Sequence, residues 1–158
     1  MKFRTGFGYD VHRLTKDRAL WLGGVCIPYD WGLLGHSDAD VLIHAICDAL
    51  LGAAGLRDIG YHFPDTGAEY KDIDSKILLA KTMDLIRSKG YELGNIDATL
   101  CAERPKINPY IPQMVECLAT TMNVDIEDIS LKATTSEKMG FVGREDGMAA
   151  YAVVLIYK

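Results

Sequence analysis

Apolar positions recur along the chain with two different periods. FRTGFGYDVHRL and ALWLGGVCIP carry the alternation of strands and predict two opening strands, with the polar TKDR as the turn between them. DWGLLG then leads into a helix expected from Ser37 to Leu51, with Val41, Leu42, Ala45, Ile46 and Ala49 on its apolar side. Ser37 is the expected N-cap and Asp40 has the capping-box spacing; Asp38 is a further first-turn carboxylate. Gly52 and Gly55 punctuate the end of that run. LRDIGYHFPDTGAEY reads as a long polar loop. A second helix is expected from about Ser75 to Lys89, with Gly90 at C′. LGNIDATLCAE predicts a strand, and NPYIPQMVECLATTM a third helix capped by Asn108 with Pro109 at N1. ISLKATTS and AAYAVVLIYK are the last strands, and SEKMGFVGREDGM is the polar loop between them. Five strands and three helices give one α+β domain over residues 1–158, a mostly β-sheet layer covered by helices.

Composition narrows the class. A chain of 158 residues that is 49% hydrophobic is long enough to bury roughly 70% of its extended-chain surface. It has no apolar run of membrane-spanning length, and MKFRTGFGYDVHRL lacks the apolar stretch of a secretory signal. The expectation is a cytoplasmic protein without a membrane partner; a trimmed organellar protein has the same appearance. A net charge of -5 argues against a nonspecific nucleic-acid binder, though not against an anionic small ligand held by local groups. Cys26, Cys47, Cys101 and Cys117 form no CxxC pair, so they read as reduced structural thiols.

Two segments carry candidate chemistry. In Asp10–Val11–His12 an extended backbone directs the carboxylate and the imidazole to one face. On the helix, Asp40, His44 and Asp48 share an edge, with Cys47 close to it. His44 is then either a half-buried histidine satisfied by its neighbours or the third member of an Asp/His/His set for zinc, manganese or another divalent ion. In the second case Asp48 is expected to orient His44 through its other ring nitrogen. LKATTSEKMGFVGRED contains no P-loop, but Lys132, Thr134, Thr135, Ser136, Lys138 and Arg144 are phosphate donors by type. Glu137 among them suits phosphate only with a cation between. The same loop also reads as a solvated, capped turn. Lys106, Asp58, Asp65, Phe63 and Phe141 are weaker candidates, each equally at home as a turn or anchoring residue.

Taken together and in order, GFGYDVHRL, GGVCIPY, GLLGHSDADVLIHAICDALLGAAGLRDIG, FPDT, AERPK and KATTSEKMGFVGR resemble the 2-C-methyl-D-erythritol 2,4-cyclodiphosphate synthase family over essentially the whole chain. The resemblance implies an isoprenoid-pathway lyase acting on a cytidine diphosphate substrate. It implies a homotrimer built around a central axis, with active sites between subunits. It assigns zinc to Asp10, His12 and His44, and magnesium or manganese, with the diphosphate, to Glu137. It gives His36, Thr135 and Lys132 catalytic roles. Substrate contacts fall to Asp10, His12, His36, Ser37, Asp58, Gly60, Phe63 and Asp65 on one side. On the other they fall to Ala102, Lys106, Ile107, Thr134, Thr135, Glu137, Phe141 and Arg144, with Ala102 to Ile107 as the cytidine region. Two other functions use similar residues: a metal-dependent nucleotide-diphosphate hydrolase, and a noncatalytic nucleotide-binding protein.

Overall fold

A long first strand organises the computed structural model, which describes residues 1–158. β1 (Phe3–Lys16) is followed by β2 (Leu20–Leu22), β3 (Val25–Ile27) and β4 (Trp31–Leu34). Next come α1 (Val41–Ala54), the single turn α2 (Ile59–His62), α3 (Ser75–Ser88) and β5 (Glu92–Cys101). α4 (Ile111–Met122), β6 (Ile129–Thr134), the short α5 (Gly140–Gly143) and β7 (Gly147–Tyr157) complete the chain.

Several expectations change at the boundaries. ALWLGGVCIP is not one strand but the hairpin β2–β3, because Gly23 and Gly24 both take positive φ (59° and 77°). That pair of angles makes the tight two-residue turn of a hairpin, which residues with a side chain rarely form. Asp17, at φ 59°, turns the chain out of β1, and β4 then pairs back onto it. The first helix starts at Val41 rather than Ser37, with Asp40 as its N-cap. Asn108 does not cap the third helix: Asn108–Tyr110 is a 3-10 turn with no side-chain cap, and α4 begins after it. The two polar loops also contain short helical turns, α2 and α5.

The main sheet runs β4-β1-β7-β5-β6, antiparallel except for the parallel pair β5–β6. α1 lies across β1 and β7, α3 packs on α1, and α4 closes the layer against α3 and β6. The expected α+β class, a sheet covered by helices, is thus borne out. Helices cover only one face. On the other, Phe3, Phe7, Tyr9, Val11, Tyr151 and Val153 stand exposed, with Tyr151 in contact with the rings of Phe7 and Tyr9. No helix is long and apolar enough to cross a membrane.

The approach of α1 to β1 is unusually close, and two glycines permit it. A Cβ at Gly8 would overlap the carbonyl oxygen of Ala45 and lie 2.8 Å from the Ala49 nitrogen. A Cβ at Gly6 would overlap the Ala49 carbonyl and lie 2.8 Å from the Ala53 Cβ. Both clashes are with helix backbone or a short side chain, which cannot swing away. Gly8→Ala is therefore expected to destabilise the fold by at least about 3 kcal/mol, the upper end for overpacking. A urea unfolding curve checks this; an unchanged midpoint would remove the close-approach argument.

At the N-terminus of α1, the buried Asp40 carboxylate accepts the N–H groups of Gly23 and Gly24 at 3.0 and 2.7 Å and that of Ile43 at 3.1 Å. One side chain therefore caps the helix and anchors the β2–β3 turn. Burial, with the nearby Asp38 charge, raises its pKa, against the pull of those three donors.

Candidate active site and metal centre

Asp10 and His12 point to the helix-covered face of β1, and the first turn of α1 delivers His44 onto them. His12 Nε2 lies 2.9 Å and His44 Nδ1 3.1 Å from the same oxygen, Asp10 Oδ2, and the two nitrogens are 3.2 Å apart. His12 Nδ1 is 3.0 Å from the Leu34 carbonyl, an acceptor, so it carries the ring proton and leaves the Nε2 lone pair facing inward. A carboxylate oxygen and two ring nitrogens thus converge within 4.8 Å. Two nitrogens and one oxygen form a donor set for zinc or a similar divalent ion with an open coordination position. Asp10 shows the electrostatics: burial opposes its charge, but the hydrogen bonds and charges of His12 and His44 bring its pKa down to about 2. Burial also works against a charged His44, yet the Asp10 hydrogen bond and charge, with Asp40 and Asp38 behind, raise its pKa overall.

Expectations about the neighbours of His44 and the start of α1 are corrected. Asp48 does not orient it: the Asp48 carboxylate accepts the Ile59 N–H at 2.7 Å, tying the start of α2 to α1. Ser37 is not the helix cap: its Oγ accepts the Ala39 N–H at 3.1 Å and sits 3.2 Å from His44 Nε2. Ser75 Oγ is closer to that nitrogen, at 2.9 Å. Nor is Asp38 in the first turn of α1; it accepts the N–H groups of Asp40 and Ser75 across the loop. Cys47 is fully buried, which pushes its thiol up to about 12.

The triad lines a cleft of about 460 Å³ that also gathers His36, Ser37, Asp58, Gly60, Phe63 and Asp65. All of these were expected from the sequence. Gly35, Ile59, Tyr70, Ile73 and Leu78, which complete the wall, were not assigned to it. His36 Nε2 lies 3.0 Å from the Gly67 carbonyl, which links this histidine to the loop after Phe63.

A second cleft, of about 430 Å³, gathers Ala102, Lys106, Ile107, Thr134 and Thr135. Glu103 is also in its wall. Its carboxylate accepts the N–H groups of Ser136 and Lys138 at 2.9 and 3.2 Å, clasping the loop in which Glu137 and Lys138 take positive φ (53° and 61°). Glu137 is exposed just beyond Thr135, whose Oγ accepts its N–H at 3.3 Å. Lys132 lines neither cleft and is ion-paired with Asp97 on the open sheet face. Arg144 lies in a third cleft of about 380 Å³ with Arg13, Arg104 and Glu145, and Phe141 is exposed outside all three.

Strand register separates Thr134 from the triad. Val11, Ala149, Cys101 and Thr134 form one row across β1, β7, β5 and β6. Partners in a row share a face, so Thr134 faces the open side with Val11 while Asp10 and His12 face the helices. Within one chain Thr134 and the triad thus lie on opposite faces of the sheet, with two strands between; Thr135 follows the end of β6.

The YgbB family profile matches residues 3–157. The chain belongs to that family. The 2-C-methyl-D-erythritol 2,4-cyclodiphosphate synthase of Parabacteroides distasonis is 72% identical over 158 residues, covering 100% of this chain and 98% of that one. The bifunctional IspDF of Campylobacter jejuni superposes with a TM-score of 0.95 at 44% identity, over 98% of this chain and 42% of that longer one. A 2C-methyl-D-erythritol-2,4-cyclodiphosphate synthase in its CDP-bound form superposes at TM-score 0.90 and 38% identity, over 98% of this chain and 100% of the other. The family resemblance read from DVH, HSDADVLIH and KATTSEK is borne out.

Proposed function

We propose that the protein converts 4-diphosphocytidyl-2-C-methyl-D-erythritol 2-phosphate into 2-C-methyl-D-erythritol 2,4-cyclodiphosphate and CMP. The observation that carries this reading is the convergence of Asp10, His12 and His44 in a hydroxyl- and carboxylate-lined cleft, in a chain matching cyclodiphosphate synthases over its full length. The reaction is an internal phosphoryl transfer. An oxygen of the 2-phosphate forms a bond to the β-phosphorus, the bridging bond from that phosphorus to the α-phosphate breaks, and CMP departs. The attacking oxygen is already anionic, so no strong protein base is required. The protein's work is to fold a flexible, highly charged substrate until attack is in line.

Each cleft suits one end of that substrate. Ser37, Asp58, Gly60 and Asp65 offer groups for the erythritol hydroxyls, and Phe63 an apolar wall beside them. Thr134 and Thr135 offer hydroxyls to the phosphates, and the backbone from Ala102 to Ile107 offers donors and acceptors to the cytosine edge, with Lys106 alongside. His36 and Thr135 are assigned to the oxygens on which charge builds in the transition state. When bound, zinc at Asp10, His12 and His44, and magnesium or manganese at Glu137 with the diphosphate, supply positive charge and Lewis acidity to the phosphate oxygens. A single exposed carboxylate suits magnesium, which keeps most of its other positions for water and phosphate. Lys132 and Arg144 are assigned to the phosphate and nucleotide end, and Phe141 to a substrate contact, only through family pattern.

The proposal extends to a homotrimer in which the triad cleft of one subunit meets the Thr134–Thr135 cleft of its neighbour. Two observations support it: the two clefts share no lining residue and lie two strands apart within one chain, and the open face is rich in exposed aromatic and aliphatic side chains. Patches of that kind mark interaction surfaces. All four cysteines are unpaired, which suits a reducing compartment such as the cytoplasm.

Incubation with the full substrate and mass analysis of both products tests the reaction. Cyclic diphosphate with CMP is expected; linear phosphates would instead indicate a hydrolase, and unaltered substrate a binding protein. Glu137→Gln preserves side-chain size and removes the charge. It is expected to lower magnesium-dependent CMP release by roughly 10²-fold or more, as loss of an electrostatic contact to a phosphoryl group does, with zinc content unaltered. A magnesium titration that matches the parent protein would take Glu137 out of the site.

A further inference from the structure

We propose that Asp38 and Ser75 act as a relay that fixes the ring of His44 for metal binding, with the Ser75 hydroxyl interposed between carboxylate and imidazole. The proposal rests on the reading of Asp10, His12 and His44 as a metal centre. His44 Nδ1 is the atom that faces Asp10 and His12, at 3.1 and 3.2 Å. A ligating nitrogen presents its lone pair, so the ring proton of His44 belongs on Nε2. Two hydroxyls meet that nitrogen, Ser75 Oγ at 2.9 Å and Ser37 Oγ at 3.2 Å. They are not equivalent. Ser75 Oγ–H donates to Asp38 Oδ1, which leaves the Ser75 oxygen as the acceptor for Nε2–H. Asp38 Oδ2 also accepts the Ser75 N–H at 2.9 Å, so the carboxylate grips Ser75 by both its donors.

Helix capping does not explain the hydroxyl. Asp74 is the N-cap of α3 and accepts the Lys76 N–H at 2.9 Å, so the Ser75 side chain has no capping partner to serve. Ser75 is also fully buried, so water does not compete for the position. Carboxylates commonly accept the outer N–H of a metal-bound histidine, fixing its tautomer and making the inner nitrogen a better donor. Here the negative charge reaches His44 through one hydroxyl. Ser75 and Asp38 are positioning residues: neither faces the point where the ligand atoms converge.

The test uses the full chain, with Ser75→Ala, Ser75→Thr, Asp38→Asn and Ser37→Ala made separately. Zinc affinity is measured by competition with a chromophoric chelator, and metal-free thermal unfolding reports on folding. Ser75→Ala is expected to weaken zinc binding roughly 10–100-fold, the range for losing an outer hydrogen-bond partner, and Ser37→Ala to weaken it less. Ser75→Thr, which retains the hydroxyl, is expected to restore most of the affinity. In zinc-loaded protein the His44 Nε2 proton is expected as a downfield, slowly exchanging NMR resonance that Ser75→Ala moves upfield. If Ser75→Ala does not fold, Asp38→Asn carries the same two readouts. Parental zinc affinity with an unmoved Nε2 proton would overturn the relay. A parent protein that takes up no zinc would instead overturn the metal centre, a separate result visible before any variant is made.

Discussion

His12→Ala and His44→Ala, made separately, are each expected to purify without their full zinc and to lose synthase activity while remaining folded. Each substitution removes one of two neutral nitrogen donors from a three-residue set. The expected fall in zinc affinity exceeds the roughly 10–100-fold that follows loss of an outer hydrogen-bond partner. Folding should survive, because neither imidazole belongs to the hydrophobic core that holds α1 on the sheet. Elemental analysis of the folded variants supplies the decisive number. Full zinc in both would refute the ligand assignment, whatever happened to the activity.

Mixed trimers test the shared site more severely. His44→Ala subunits retain the Thr134–Thr135 cleft, and Thr135→Ala subunits retain the triad. Each variant alone is expected to be nearly inactive. After exchange at equal concentrations, a site is intact only where a Thr135→Ala subunit contributes its triad and a His44→Ala subunit its threonines. Random assortment in a cyclic trimer makes that combination about one quarter of all sites, so activity is expected to recover to about a quarter of the parental value. Native mass spectrometry verifies trimer mass and exchange first. Complete exchange without recovery would mean that the two residues do not serve one site across a subunit boundary. A fully active monomer would defeat the shared site altogether.

Much of the metal centre was legible because two periodicities meet there. Strand alternation alone put Asp10 and His12 on one face, and the helix period isolated His44 from the apolar side of α1. Their meeting was a long-range fact. It depends on Gly6 and Gly8, which were visible in GFGYDVH but carry no local sign of what will pack on them. The error over Asp48 has the same origin. Helical spacing shows that His44 and Asp48 share a face, but not that the Ile59 N–H claims one and a serine from another helix reaches the other. Ser37, Asp38 and Asp40 are all residue types that cap helices. Asp40 takes the role because it also satisfies the two N–H groups of the Gly23–Gly24 turn, a contact 16 to 17 residues away in sequence. That turn was itself readable, since two adjacent glycines between short apolar runs signal a hairpin. The roles given to Thr134, Thr135 and Glu137 came from the family pattern, because hydroxyls and a carboxylate in a polar loop have many uses.

The glycine crossing has a further consequence for how the protein tolerates change. Where α1 meets β1 at Gly6 and Gly8, the separation is limited by main-chain atoms, whose size no substitution at other positions alters. At Gly8 the crossing meets Ala45, next to His44, and lies two residues from Asp10; at Gly6 it continues along α1 to Ala49 and Ala53. Core side chains elsewhere on α1, such as Ile46 and Leu50, are fully buried and can vary in volume at some loss of stability. The mechanical stop at the glycines keeps such variation from changing the gap that His44 must bridge. Selection on packing and selection on ligand geometry are thereby uncoupled along one helix, so that drift in the interior leaves the metal centre in register.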